Sequence, residues 1–178
     1  WERTSAVLRT SFTVSGTRST RRSAMKFFSI YGLIALLLAF IPNLVFAKKT
    51  HQAKLDDVET CGFAVCVLEM IFRLLMVGAM LFIRMPLLDI FFAILAAAFL
   101  LLYYLAWIRY YKGGAYYPEI YTNNFLGIPL PMAVFSVLYY IAASIWLCNL
   151  IALCAAMVYG VCHIANAAAA KKDIKCRL

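Results

Sequence analysis

Four polar side chains stand in apolar surroundings in this sequence, and any chemistry has to start from them: Glu69, Arg73, His163 and Asn43. Glu69 and Arg73 lie near the middle of Cys61 to Ile83, CGFAVCVLEMIFRLLMVGAMLFI. They are one helical turn apart, with the acid on the N-terminal side, the favourable order for an i,i+4 ion pair. An ionisable group at that depth costs about 3 kcal/mol on insertion scales, so each must face protein, water or the other. His163 sits in an apolar run, and imidazole changes charge near neutral pH, so it can relay protons. The sharper reading is a polar, ion- or proton-handling cavity built on Glu69, Arg73 and His163, with Asn43 beside them. The simpler reading is a static ion pair and a hydrogen-bonded histidine. Such polar contacts hold membrane helices in register at about 0.6 kcal/mol each. The simpler reading needs no further partner and is the preferred expectation.

Catalytic, cofactor-binding and metal-binding patterns are not found. No nucleophile elbow, zinc-protease helix or phosphate-cradling loop occurs, and Cys162 and His163 project about 100° apart on a helix. The six cysteines, Cys61, Cys66, Cys148, Cys154, Cys162 and Cys176, include no C-x-x-C pair. They are expected to pack as small hydrophobes. His51 with Asp56 and Asp57 is too loose a pattern for a metal site.

The elements that must position these residues are long and apolar. The chain has 178 residues, 65% of them hydrophobic, with a mean hydropathy of +0.85. That is far above a soluble domain and leaves no room for a separate catalytic domain. The composition predicts an all-α, polytopic membrane protein of about five transmembrane helices in one bundle. Their expected ranges are 27–47, 61–83, 86–108, 129–147 and 150–168, each close to the roughly 20 residues a bilayer requires. The formal charge of +9 sits mainly at the ends and in loops, which suits anchoring to an anionic lipid surface, and no nucleic-acid motif accompanies it.

Local signals refine each range. Pro42-Asn43 kinks the first helix and frees backbone carbonyls that neighbours must satisfy. Retention of that helix is expected over its removal as a signal peptide, because the run exceeds an h-region of about 7–15 residues. Pro86 suits the first turn of the third helix, and Asp89 suits its N-terminal dipole. Tyr103, Tyr104, Trp107, Tyr110 and Tyr111 at its far end predict an aromatic belt at a lipid–water interface. Gly113-Gly114 and Pro118 are expected to break any helix in the loop 109–127, whose tyrosines make it the candidate surface for a protein partner. The 43 residues from Ile128 to Ala170 carry no formal charge and must fold back on themselves, with the turn expected at Cys148-Asn149. Ala152, Ala156 and Gly160 repeat every fourth residue, a small-residue face for close helix approach.

Residues 1–24, rich in Ser, Thr and Arg, fit either an organellar transit peptide or a leader upstream of a true start at Met25, the second being preferred. The chain closes with a basic tail, 171–178. Counted from Met25, one side holds nine basic residues and the other two, Lys26 and Arg84. The positive-inside rule then puts the N-terminus outside and the C-terminus inside. The five arginines of residues 1–24 would nearly balance that count. Counted in from the cytoplasmic side at about 1.5 Å per residue, Glu69 is about 12 Å deep and His163 about 8 Å deep, with Asn43 at similar depth.

The start Met25-Lys26-Phe27-Phe28-Ser29-Ile30-Tyr31-Gly32, the run Ile41-Pro42-Asn43-Leu44-Val45-Phe46-Ala47 and the pattern Gly160-x-x-His163-Ile164 carry a resemblance. The chain resembles a group of small multi-pass membrane proteins of Gram-positive bacteria that has no assigned activity. The resemblance implies a bacterial plasma membrane and Met25 as the start; a transit peptide would imply an organellar membrane instead. It does not cover Glu69 or Arg73. Two function classes follow from the residues: a structural or partner-binding membrane component, or a small transporter or proton- or ion-coupled channel.

Overall fold

The structure, a computed structural model, describes residues 28–49, 61–83 and 90–177. The expectations for residues 1–24, Met25, the first loop, Pro86 and Asp89 lie outside the described residues. Within them the fold is all-helical apart from one small hairpin. The elements are α1 (Ile30–Lys49), α2 (Phe63–Phe82), α3 (Ile90–Lys112), the single turn α4 (Glu119–Thr122), β1 (Asn124–Phe125), β2 (Ile128–Pro129), α5 (Pro131–Trp146) and α6 (Leu150–Arg177). Four of these helices, α1, α2, α3 and α6, are long and apolar enough to cross a membrane. The fourth expected span differs: α5 has 16 residues, about 24 Å at about 1.5 Å each.

α5 is central in the bundle. It buries ten residues, among them Phe135, Ser136, Tyr139, Tyr140 and Ser144, between α3 on one side and α6 on the other. α2 packs against the opposite flank of α6, and α1 closes the bundle against α2 and α3. α2 runs antiparallel to both α1 and α6, and α1 runs parallel to α3. The Ser29 N–H donates to the Leu81 carbonyl at 2.8 Å, joining the start of α1 to the end of α2. At the other end of α2, the Cys61 N–H donates to Asn166 Oδ1 at 3.2 Å, in the second half of α6. The C-terminal ends of α1, α3 and α6 therefore share one end of the bundle, with Arg109, Lys112, Lys171 and Lys172.

Two glycines set how closely the helices approach. A Cβ on Gly32 would meet the Met80 carbonyl oxygen at 2.0 Å, so α1 touches the backbone of α2 there. A Cβ on Gly160 would lie 2.5 Å from Val137 Cγ1, so α6 and α5 cross at that point. Ala152 and Ala156, on the same stripe as Gly160, are fully buried. The turn between α5 and α6 places Cys148 at φ 50, and Asn149 follows as a buried clasp. Asn149 Oδ1 accepts the Ala152 N–H at 3.0 Å, capping α6, while its Nδ2 donates to the Ala79 carbonyl of α2 at 2.8 Å.

Pro42 lies inside α1 and cannot donate to the carbonyl four residues earlier, that of Leu38. The Tyr104 hydroxyl takes that place, donating to the Leu38 carbonyl at 2.7 Å. The tyrosines of α3 thus serve the helix next door, and the expected aromatic belt is corrected: Tyr103, Trp107 and Tyr110 are 3%, 6% and 2% exposed and pack around Phe135. An aromatic ring beside neighbouring helices finds more contact inside the bundle than at its rim.

Three further expectations change. The basic tail is not a separate segment: α6 continues through Lys171 to Arg177, because the Ala167–Ala170 run and the following lysines are strong helix formers and Arg177 pairs with Asp173 at 3.0 Å. Pro118 does not exclude helix from the loop but starts one, the turn α4, since its fixed φ suits a first turn. Burial does not hold for most cysteines. Only Cys162 is buried, whereas Cys61, Cys148, Cys154 and Cys176 are exposed. Outward-facing positions on apolar helices are exposed whatever the residue type.

Candidate functional site: a shared carboxylate beside an aromatic cavity

Glu69 sits mid-way along the first half of α2, facing α6, and three side chains converge on it. Arg73, one turn on, donates to Oε1. His163 Nδ1 of α6 lies 2.9 Å from the same oxygen. Asn166 Nδ2, one turn beyond His163, donates to Oε2 at 2.6 Å. Both carboxylate oxygens are thereby engaged, and since an ionised carboxylate only accepts, His163 Nδ1 is the donor in that contact. Tyr159 closes the ring, stacked on His163 with centroids 5.1 Å apart and lying under the Arg73 guanidinium at 5.2 Å. Tyr159, His163 and Asn166 reach one site because four and three residues on a helix share a face.

The cluster forms one wall of a cavity of 420 Å³, within the range of small-molecule sites. Arg73 and His163 reach it from α2 and α6, Tyr140 and Ser136 from α5, and Tyr103 and Trp107 from α3. Asn43 lines the cavity from α1 but does not bond to the Glu69 cluster; its Nδ2 donates to the Ala39 carbonyl of its own helix at 3.3 Å. The level is nonetheless shared. Gly32 of α1 faces Met80 of antiparallel α2, and Asn43 and Glu69 are each eleven residues further along. They come to the same height on different walls.

The loop between α3 and α5 roofs the cavity with Tyr117, Ile120, Tyr121 and Leu130. α4 and the hairpin hold this roof. The hairpin turns on Leu126 and Gly127, both with positive φ, and Lys171 of α6 donates to Asn124 at 3.3 Å. Burial pushes the Tyr121 hydroxyl well above the ordinary tyrosine range, so the roof is neutral.

Sequence reasoning missed Asn166, Tyr159, Tyr103 and Trp107. The spacing of Tyr159 and Asn166 around His163 was the available signal. No spacing relates Tyr103 and Trp107 to α2 or α6, because only tertiary packing brings α3 to the cavity. Among the described residues no group of three His, Cys, Asp or Glu side chains is placed to hold a metal ion. The chain matches no protein-family model, no curated protein and no solved structure.

Proposed function

We propose that the protein is an integral membrane protein of about five helices that binds a small solute in the central cavity and handles a proton at the Glu69–His163 contact, as a small carrier or channel does. One observation carries this reading. A carboxylate shared by Arg73 and His163 stands at the wall of a 420 Å³ cavity, with both of those partners lining it. A purely static pair needs no cavity beside it. Membrane residence is supported by the outward faces of the long helices, where Leu37, Ile41, Leu74, Ile94, Leu101 and Val161 are exposed. Such continuous apolar surface is unfavourable in water. The short α5 is compatible with a span, because the surrounding helices screen it from lipid. The shared end carrying Arg109, Lys112 and the lysines of α6 is the cytoplasmic side of a bacterial plasma membrane on this reading.

A structural, partner-binding role is the second reading. It is favoured by the way Asn166 joins the Glu69 carboxylate to the Cys61 N–H, clasping α2 to α6. The exposed Tyr116 and Leu126 of the loop 109–127 are then the partner surface. Glu69→Gln, Arg73→Met and the double variant, compared for thermal unfolding in detergent, separate the two. A carrier site tolerates all three changes with small shifts in Tm. A structural pair loses stability with each single change and recovers it in the double, since removing one partner strands the other.

A further inference from the structure

The lining of the cavity is asymmetric in charge. Arg73 is the only formally charged side chain among the described residues that line it. Glu69 is not part of the lining, and its two oxygens are already taken by Arg73, His163 and Asn166. Arg73 offers Glu69 one nitrogen of a guanidinium with five N–H donors, and its side chain is 47% exposed. On the α3 side, the Trp107 indole N–H is buried beside the Tyr103 hydroxyl without completing a hydrogen bond among the described residues. The α3 wall thus presents a buried donor without an acceptor, and the α2 wall presents guanidinium N–H groups beyond the nitrogen used on Glu69. The remaining surface is aromatic and apolar: Phe40, Phe46, Tyr140 and Met76.

A cationic ligand would meet Arg73 with no uncommitted carboxylate to balance it. A neutral one would offer the Arg73 N–H groups an acceptor but not the stronger, charge-assisted pairing that a carboxylate or sulfonate gives a guanidinium. An anion satisfies it but adds a charge, because Glu69 and Arg73 already cancel, and a net charge is costly in a low-dielectric interior. A proton on His163 restores neutrality. The groups that face His163 are Glu69 and Arg73 from α2, Tyr140 from α5, Tyr117 and Tyr121 from the roof, and Tyr159 and Asn166 from α6 itself. Of these, His163 carries the imidazole, a side chain with a second ring nitrogen that can take up a proton.

From this charge balance we infer that the cavity takes an organic monoanion with an aromatic or apolar body, together with one proton held on His163. This rests on the solute-binding reading above and names its ligand class.

Two fluorescent dyes of nearly the same body test it on the purified full-length protein in nanodiscs: anilinonaphthalene sulfonate, ionised throughout, and neutral N-phenylnaphthylamine. Saturable binding above protein-free nanodiscs is measured at about pH 6 and about pH 8, either side of the usual imidazole range. The sulfonate is expected to bind more tightly than the amine, and about tenfold more tightly at the lower pH, while the amine shows no pH dependence. Arg73→Gln removes the preference for the sulfonate, and His163→Gln removes its pH dependence. Arg73→Lys, which keeps the charge, retains the preference and stands in if the glutamine variant does not fold. Equal binding of both dyes overturns the anion while leaving solute binding intact. A pH-independent preference overturns the proton. Saturable binding of neither dye overturns the solute-binding reading itself.

Discussion

Tyr104 is the residue whose role follows most directly from covalent structure. Proline removes a donor, the carbonyl of Leu38 is left without its partner, and the Tyr104 hydroxyl supplies one. Tyr104→Phe is expected to lower stability by about 1 kcal/mol, the usual net value of such a bond, with the fold retained. Thermal unfolding of the purified protein measures it, and an unchanged Tm would mean that the hydroxyl does not stabilise the Leu38 carbonyl. Asn166 is the comparable residue in the polar cluster. It accepts from the Cys61 N–H and donates to Glu69, so Asn166→Ala strands a carboxylate oxygen and a backbone donor together. The expected loss exceeds that of Tyr104→Phe, in the range of about 1–3 kcal/mol. A smaller loss would mean that water replaces the amide.

The elements are held by close approach and by clasps at their ends. Gly160 lets α6 reach Val137 of α5, and the branched Val137 side chain has little rotamer freedom to retreat. Gly160→Ala should therefore destabilise by about 1–3 kcal/mol through overpacking. Val137→Ala in the same chain should restore most of it, whereas additive losses would place the strain elsewhere. Asn149 works differently, as an end clasp that caps α6 and holds the last turn of α2 at Ala79. Its replacement by Ala uncaps α6 and removes the link to the end of α2, and hydrogen exchange at the α5–α6 turn is expected to accelerate more than exchange in the centre of α6. The carbonyl freed by Pro42 and the Cys148-Asn149 turn are both legible in the sequence, since each rests on a local property of one residue type. The burial of Tyr103, Trp107 and Tyr110 is not, because the same pattern reads equally well as an interfacial belt until α5 is seen to occupy the inner side.

At the scale of the molecule, antiparallel packing makes a sidedness prediction. Cys176 and Lys112 belong to the end of the bundle where α3 and α6 finish, and Cys148 belongs to the other. Single-cysteine variants carrying Cys176, Lys112→Cys or Cys148 are expected to react with a membrane-impermeant thiol reagent from opposite sides. The first two should label only after cells are permeabilised, and Cys148 in intact cells. Labelling of Lys112→Cys from the side of Cys148 would mean that the 16-residue α5 does not cross.

Apolar runs too long for a soluble core, a buried acid with its base one turn away, and breakers at Pro42 and Asn149 are properties of neighbouring residues, and the sequence alone determined them. So it was for the all-helical class and for Glu69, Arg73 and His163, though not for Asn166, Tyr159, Tyr103 and Trp107. Which helix faces which was decided by tertiary structure. His163 meets Glu69 because α6 lies against α2, and Asn43 reaches the cavity from a different wall because α1 packs on the other flank. The aromatic residues of α3 turn inward because α5 is there to receive them. The physical reason is common to all three: helix periodicity specifies which residues share a face, but the partner of that face is chosen by steric fit at small residues such as Gly32 and Gly160, over separations no local pattern records.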